Sequence, residues 1–275
     1  MKKQKFQGIL FCTDLDGTLI GSDGEISKEN RDAIRYFQSE GGVFTFITGR
    51  PPLTAHALCE NILPNAPIGC LNGGGIYDFR EERMLYAAYL DDGVDEMLDA
   101  VEREMPDVGI LVNAPEGVFF SHPSESADAF CKRRALAMAN RSREEIARPF
   151  YKIVFLHCDG ARIEALAELL HSHPLTDRYS YIRSEYELYE ILPKGSCKGE
   201  GLRRLAAHLG IPMEKTIAIG DYDNDVSMIC AARLGVAVAN AVPEAKAAAD
   251  LVTVSNDESA IARIIYALDR GEISL

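Results

Sequence analysis

Gly8-Ile9-Leu10-Phe11-Cys12-Thr13-Asp14-Leu15-Asp16-Gly17-Thr18 carries the reading of this chain. The apolar run from Gly8 to Thr13 has the length of a buried strand, and it stops at a carboxylate. In a parallel sheet, sites form beyond the carboxyl ends of the strands. Two carboxylates two residues apart at such a point, where the chain leaves extended geometry, can converge on one cation. Gly17 then lets the backbone turn. A lone Asp-x-Asp is equally well a solvated turn, whereas the complete string Asp14–Thr18 directly after a strand points to a site.

Outward from this stretch, short apolar runs alternate with amphipathic ones. Lys28–Glu40 reads as a helix, with Ile34 and Phe37 three apart and Gly41-Gly42 as its stop. Val43–Ile47 is a second strand, Pro51 opens a further helix, and Ile68–Leu71 is a third strand. The C-terminal part repeats the style. It has a helix at Cys197–Leu209, a strand at Thr216–Ile219, a helix at Asp223–Ala232 and a strand at Gly235–Ala239. Helices near Glu244–Ala249 and Ser259–Leu268 follow, separated by a strand at Leu251–Val254. Such alternation predicts β-α-β units, and head and tail together predict one doubly wound, Rossmann-like parallel sheet.

The middle has another character. Longer helices are expected at Gly93–Met105, Ser126–Asn140 and Ala161–Leu170. Strand-like runs lie at Val108–Val112, Val118–Phe120, Lys152–His157, Tyr179–Arg183 and Leu188–Leu192. The expected division is therefore an α/β core from residues 1–80 and 191–275, with an α+β domain inserted at 81–190. The tyrosines between Tyr179 and Tyr189 alternate as strand packing does, not as a stacking platform for bases.

Composition narrows the function. The chain has 275 residues, 47% apolar and 26% charged, which is ordinary globular composition. A formal net charge of −13 repels phosphate backbones and anionic lipid, so nucleic acid and membrane are poor partners. An anionic metabolite can still bind, given a local device such as a metal. The seven cysteines include no C-x-x-C pair and read as reduced thiols of a cytoplasmic protein. The basic start Met1–Lys5 precedes an apolar run too short for a signal-peptide core, so no leader is expected. No run of about 18 apolar residues occurs. The six histidines show no metal spacing, and His171-x-His173 reads as surface.

Further clusters stand at strand ends. Thr48-Gly49-Arg50 follows the second strand and on its own reads as a strand-to-helix turn, though Thr48 carries a neutral hydroxyl donor. Lys194 and Lys198 flank Gly195-Ser196-Cys197. Gly220-Asp221-Tyr222-Asp223-Asn224-Asp225 places three carboxylates and an amide after the strand Thr216–Ile219. That density repels itself without a cation. Mg²⁺, which takes one or two carboxylates plus waters and phosphate oxygens, resolves it. Asp223 reads as a helix N-cap. Asn72-Gly73-Gly74-Gly75 ends the third strand and Asn240-Ala241 follows the strand Gly235–Ala239.

Taken in order, these strings resemble the motifs of the haloacid dehalogenase-like superfamily, over roughly residues 8–80 and 188–255. The long insertion after the third strand resembles the C2 cap of its Cof-type, class IIB members. The resemblance implies a nucleophile at Asp14 and a general acid/base at Asp16, whose carbonyl would also ligate magnesium. It implies a phosphoryl-binding hydroxyl at Thr48, with Gly49 beside it and Arg50 as a second anion contact. It selects Lys198 over Lys194 as the lysine that offsets the clustered charge. Asp14 and Asp221 would ligate Mg²⁺, Asp225 would be a ligand or its support, and Asn224 a metal or phosphate contact. Asn72 would face the substrate and Asn240 would support the magnesium-binding motif.

The expected activity is Mg²⁺-dependent hydrolysis of a small phosphorylated metabolite through an aspartyl-phosphate. Sugar phosphates, flavin mononucleotide and pyridoxal phosphate are the implied substrate types, with a cap that excludes water and selects among them. A phosphomutase, or a metabolite-binding regulator without turnover, is the alternative on the same fold. Retention of both Asp14 and Asp16 argues against a pure binder.

Overall fold

The first apolar run becomes β1 (Leu10–Thr13), in which every residue is buried. The structure is a computed structural model that describes residues 4–52, 54–55, 64–133 and 138–275. His56, Cys59 and most of the helix expected after Pro51 lie outside the described residues. The chain divides into two compact units, Met1–Tyr86 with Cys197–Leu275, and Ala87–Ser196. Each boundary thus falls a few residues beyond the expected 80/81 and 190/191.

In the first unit, α1 (Lys28–Ser39) starts at Ser27, whose Oγ accepts from the Asn30 N–H at 3.1 Å. Such a cap contributes about 1 kcal/mol. Ile34 and Phe37 form its buried stripe. Then come β2 (Val43–Phe46), β3 (Ile68–Cys70), β4 (Gly75–Asp78) and β5 (Arg83–Ala87). The expectation included neither β4 nor β5.

β3 also departs from the expected continuous sheet. It meets the strand before it through one parallel bridge, Ile47 to Gly69, and pairs antiparallel with β4 in a three-stranded sheet, β3-β4-β5. The physical reason lies just upstream. Asn65 takes over the ladder of β2, its Oδ1 accepting from Phe44 N at 2.8 Å, and Pro67 has no N–H to offer.

The first unit closes with α5 (Lys198–Leu209), β12 (Thr216–Gly220), α6 (Asp223–Ala231), β13 (Leu234–Ala237), α7 (Pro243–Ala248), β14 (Leu251–Val252) and α8 (Ala260–Asp269). Its main sheet runs β14-β13-β12-β1-β2, all parallel. Alternation along β1 sends Leu10 and Cys12 to one face, where they cluster with Leu202, Leu205 and Met228 from α5 and α6. Phe11 points to the other face, its ring 5.9 Å from Phe37 and 5.6 Å from Phe44. Helices on both faces make this the doubly wound α/β sheet that the alternation predicts.

The second unit holds α2 (Val94–Glu104), β6 (Gly109–Ala114), β7 (Gly117–His122), α3 (Glu125–Arg133), β8 (Ala139–Asn140), β9 (Lys152–Leu156), α4 (Gly160–Ser172), β10 (Tyr179–Glu185) and β11 (Leu188–Pro193). Its six-stranded sheet runs β10-β11-β9-β6-β7-β8. All described pairings are antiparallel except β7 with β8. One face packs Ile110, Val112, Ile153, Phe155, Tyr189 and Ile191 against α2 and α4. The tyrosines at Tyr179 and Tyr189 are buried there, as their alternation implies. Of the helix expected over Ser126–Asn140, Glu125–Arg133 is helical among the described residues, and residues 134–137 lie outside them. Ala139–Asn140 instead pairs along Phe119–Phe120, whose open backbone edge accepts it.

Candidate active site

Asp14 stands where β1 leaves the sheet. Its N–H donates to the Ile219 carbonyl at 2.9 Å, which pins the chain to β12 for one residue more. The residue is 7% exposed, and a carboxylate buried so far needs partners. Lys198 supplies one. Its Nζ donates to Asp14 Oδ1 at 2.6 Å and to Asp225 Oδ1 at 2.6 Å. Burial disfavours the lysine's charge, yet Asp14 and Asp225 outweigh it and hold the pKa above the ordinary lysine value.

Close backbone packing sets the start of the lysine's helix. Gly73, at φ +83°, lies where a Cβ would sit 2.1 Å from the Cys197 carbonyl oxygen. Only a glycine fits there. Lys194, the other candidate, is exposed.

Asp225 is fully buried at the start of α6. Its Oδ2 accepts from the N–H groups of Asp221 at 2.9 Å and Tyr222 at 3.1 Å, which leaves Oδ1 for Lys198. Asp223, expected as the N-cap, stands at the first helical position instead, with Tyr222 as the cap. Asp225, the third helical residue, reaches back to the N–H of the cap residue Tyr222, the arrangement of a capping box.

Asp221 directly follows β12, and its Oδ1 accepts from Thr18 Oγ1 at 2.5 Å. Gly17, at φ +79°, brings the first motif so near that a Cβ would lie 2.5 Å from Asp221 Oδ2. One oxygen each of Asp14, Asp221 and Asp225 lie within 4.8 Å of one another. Burial first and Asp225 second push the Asp221 carboxyl up to about 7. The same two causes, in the same order, raise Asp14 well above the carboxylate range against the pull of Lys198. One ammonium does not balance three carboxylates. This all-oxygen donor set, crowded and under-neutralised, fits a hard divalent cation.

A second chain of contacts runs through Thr48. Its Oγ1 accepts from the Arg50 N–H at 3.2 Å and its carbonyl from the Asn72 N–H at 3.0 Å. Arg50, expected to contact an anion, lays its guanidinium along Asp16: Nε to Oδ2 at 2.9 Å and Nη2 to Oδ1 at 2.7 Å. Asn72 is buried at φ +53°, and its Oδ1 accepts from Asn224 Nδ2 at 3.1 Å. A Cβ on Gly49 would lie 3.1 Å from the Asn72 Oδ1. The Asn224 Oδ1 is buried without a hydrogen-bond partner among the described residues. Such an orphan acceptor suits a cation or a hydroxyl donor.

Asn240 supports the first motif from below, with Nδ2 donating to the Gly17 carbonyl at 2.8 Å. Asn256 extends that support, its N–H donating to Asn240 Oδ1 at 3.0 Å and its Nδ2 to the Ile20 carbonyl at 2.9 Å. Sequence reading gave no role to Asn256, to Thr18 or to Ser227, whose Oγ accepts from Gly199 N at 3.1 Å. Thr18 was visible as the last residue of the opening string. The other two carry no sequence signal.

The described site thus gathers Asp14, Lys198, Asp221 and Asp225 in one cluster, at the carboxyl ends of two adjacent parallel strands and the starts of two helices. A phosphatase is the class of enzyme that such a fold and site suggest. Comparison with known proteins agrees. The profile of the haloacid dehalogenase-like hydrolases matches residues 11–265. The 5-amino-6-(5-phospho-D-ribitylamino)uracil phosphatase YwtE of Bacillus subtilis is 28% identical, over 94% of this chain and 97% of its own. A haloacid dehalogenase-like hydrolase from Bacteroides thetaiotaomicron, solved by crystallography, is 28% identical with a TM-score of 0.81, over 94% of this chain and 99% of its own. The chain also matches a chloroplastic endoribonuclease, YBEY of Arabidopsis thaliana, at 27% identity over 96% of this chain, but spans only 47% of that protein. This chain belongs to the haloacid dehalogenase-like hydrolases, on their Cof-type branch, and is a phosphatase.

Proposed function

We propose that the protein hydrolyses a small phosphate monoester in two steps, with Mg²⁺ as cofactor and Asp14 as nucleophile. The observation that carries this reading is the buried Asp14 carboxylate held by Lys198 beside Asp221 and Asp225. Asp14 and Asp221 would hold the cation, with Asp225 in support. When bound, Mg²⁺ would neutralise the carboxylate cluster and draw charge from the phosphate oxygens.

The chain's own groups do the rest. In the first step an Asp14 oxygen attacks phosphorus, the bond from phosphorus to the ester oxygen breaks, and Asp16 gives its proton to that departing oxygen. The product is an aspartyl-phosphate and an alcohol. In the second step Asp16 takes a proton from water, the water oxygen bonds to phosphorus, and Asp14 leaves as a carboxylate. Lys198 and the Thr48 hydroxyl stabilise the phosphoryl oxygens in both steps. Asn72 and Asn224 line the same end of the sheet, where the bond between them orients both amides.

For the substrate we favour a phosphate on a sugar or sugar-alcohol chain, supported by the activity for which the Bacillus subtilis relative is named. The free thiols among the described cysteines suit a reducing cytoplasm.

The deciding experiment is Asp14→Asn, assayed by phosphate release from a panel of sugar phosphates, flavin mononucleotide, pyridoxal phosphate and 4-nitrophenyl phosphate with Mg²⁺. The variant is expected to fold and to lose turnover on all of them. Hydrolysis within about ten-fold of the parent, far short of the loss that removing a covalent nucleophile brings, would reject Asp14 as nucleophile.

A further inference from the structure

We infer that Arg50 is a positioning residue for Asp16 and not a contact for the substrate's phosphate. This rests on the acid/base role proposed above for Asp16. The guanidinium meets the carboxylate fork to fork, with two hydrogen bonds of 2.9 and 2.7 Å. That geometry fixes the plane of the carboxylate as well as its place. Arg50 is itself tied down, its N–H to Thr48 Oγ1 and its carbonyl to the Leu71 N–H at 3.1 Å. The strand end that carries Thr48 therefore dictates where the Asp16 oxygens lie.

The pair is exposed, 39% on the arginine side chain and 52% on the aspartate. Exposed ion pairs contribute little to stability. What this one contributes is orientation. An aspartate at the end of an exposed turn has free side-chain torsions, and a proton donor displaced by about 1 Å loses on the order of a hundred-fold in rate. A fork engaged on a carboxylate is also a poorer receptor for a phosphate dianion. Lysine, a single point charge, cannot hold both oxygens in one plane.

The test uses the sensitivity of acid catalysis to the leaving group. An alkoxide must be protonated as it leaves, whereas 4-nitrophenolate needs little help. Parent, Arg50→Ala, Arg50→Lys and Asp16→Asn are each assayed with an alkyl phosphate, phenyl phosphate and 4-nitrophenyl phosphate. Inhibition by inorganic phosphate is measured alongside, and folding is checked by thermal melting. For Arg50→Ala, kcat on the alkyl ester is expected to fall at least ten-fold further than on 4-nitrophenyl phosphate, the bias that Asp16→Asn shows. Phosphate inhibition is expected to hold within about two-fold, and Arg50→Lys to recover only part of the alkyl activity. An equal loss on all three esters, with phosphate inhibition weakened in step, would overturn the inference and make Arg50 an anion contact. So would an unchanged leaving-group dependence. Failure of the parent reading shows elsewhere, as hydrolysis that survives Asp14→Asn.

Discussion

Asp14 and Lys198 are 184 residues apart in sequence and share a 2.6 Å hydrogen bond in the interior of the first unit. The lysine also bonds Asp225, so one buried cation joins β1, α5 and α6. Besides the role proposed for it in turnover, it is a strut. Removing one member of a buried charge cluster leaves the others unpaired, at a cost of about 3–5 kcal/mol. Lys198→Ala is therefore expected to lower stability by that order in urea unfolding at pH 8 without divalent cations, besides abolishing turnover. A loss under about 1 kcal/mol, the size of a surface pair, would mean that the cluster is not held by this lysine.

Asp221 makes stability depend on pH in a definite sense. Its folded pKa, pushed up to about 7, lies above the unfolded value near 3.8. The folded protein then holds this proton more tightly than the unfolded chain. The contribution favours folding below about pH 4 and is lost as pH rises through about 7. Asp221→Asn carries no charge at any pH. Without divalent cations, its melting temperature relative to the parent is expected to climb between pH 4 and 7 and to level off above. A difference that is flat with pH would show that Asp221 is not under this strain.

Magnesium should reverse the same strain. Ligation requires the ionised carboxylate, so the cation competes with the proton. The rise in melting temperature caused by Mg²⁺ is expected to be large at pH 8 and to shrink below pH 7. At a hundred times its dissociation constant the ion stabilises by about 2.7 kcal/mol. Asp221→Asn should lose most of this response. An equal response in parent and variant would place the ion elsewhere.

What was legible beforehand follows from locality. The strand ahead of Asp14, the carboxylate pairs at strand ends and the glycines behind them are written in short stretches, and the structure places them as read. The parallel character of the sheet follows from the same alternation, whereas its strand order and the departure of β3 do not. What was not legible depends on partners distant in sequence. Arg50 and Asp16 are 34 residues apart, and no short stretch shows that they pair. Asn256 has no motif, and its role exists only because the chain end returns beneath Gly17 and Ile20. β4 and β5 are short strands beside a glycine-rich turn, and β8 is two residues long, so periodicity had little to work on.

Gly17 offers a sharper test of the first motif. Its φ of +79° disfavours any side chain, and a Cβ would come 2.5 Å from Asp221 Oδ2. Gly17→Ala must either strain the turn, at roughly 1–3 kcal/mol, or push Asp221 away from Asp14. Both outcomes weaken Mg²⁺ binding. The expected result is at least a ten-fold rise in the Mg²⁺ concentration needed for half-maximal activity, with a lower melting temperature. Unchanged Mg²⁺ dependence would show that the turn does not set the spacing of the carboxylates.

The second unit contains a buried charge pair of its own, Lys152 on β9 and Glu190 on β11, with Nζ and Oε2 2.7 Å apart and side chains 4% and 3% exposed. Neighbouring positions on these strands are apolar, Val154 and Leu156 among them. Ions taken out of water recover most of their desolvation cost from each other, but little beyond it. Losing one partner is therefore the damaging event. Lys152→Met alone should cost about 3–5 kcal/mol, because Glu190 stays buried without the Lys152 ammonium. Adding Glu190→Leu should restore most of that loss, since two apolar side chains of similar volume suit such a sheet face. A double-mutant cycle by urea unfolding measures the coupling directly. If the two losses simply add, the pair is not the stabilising unit, and the polar groups around each residue must hold it separately.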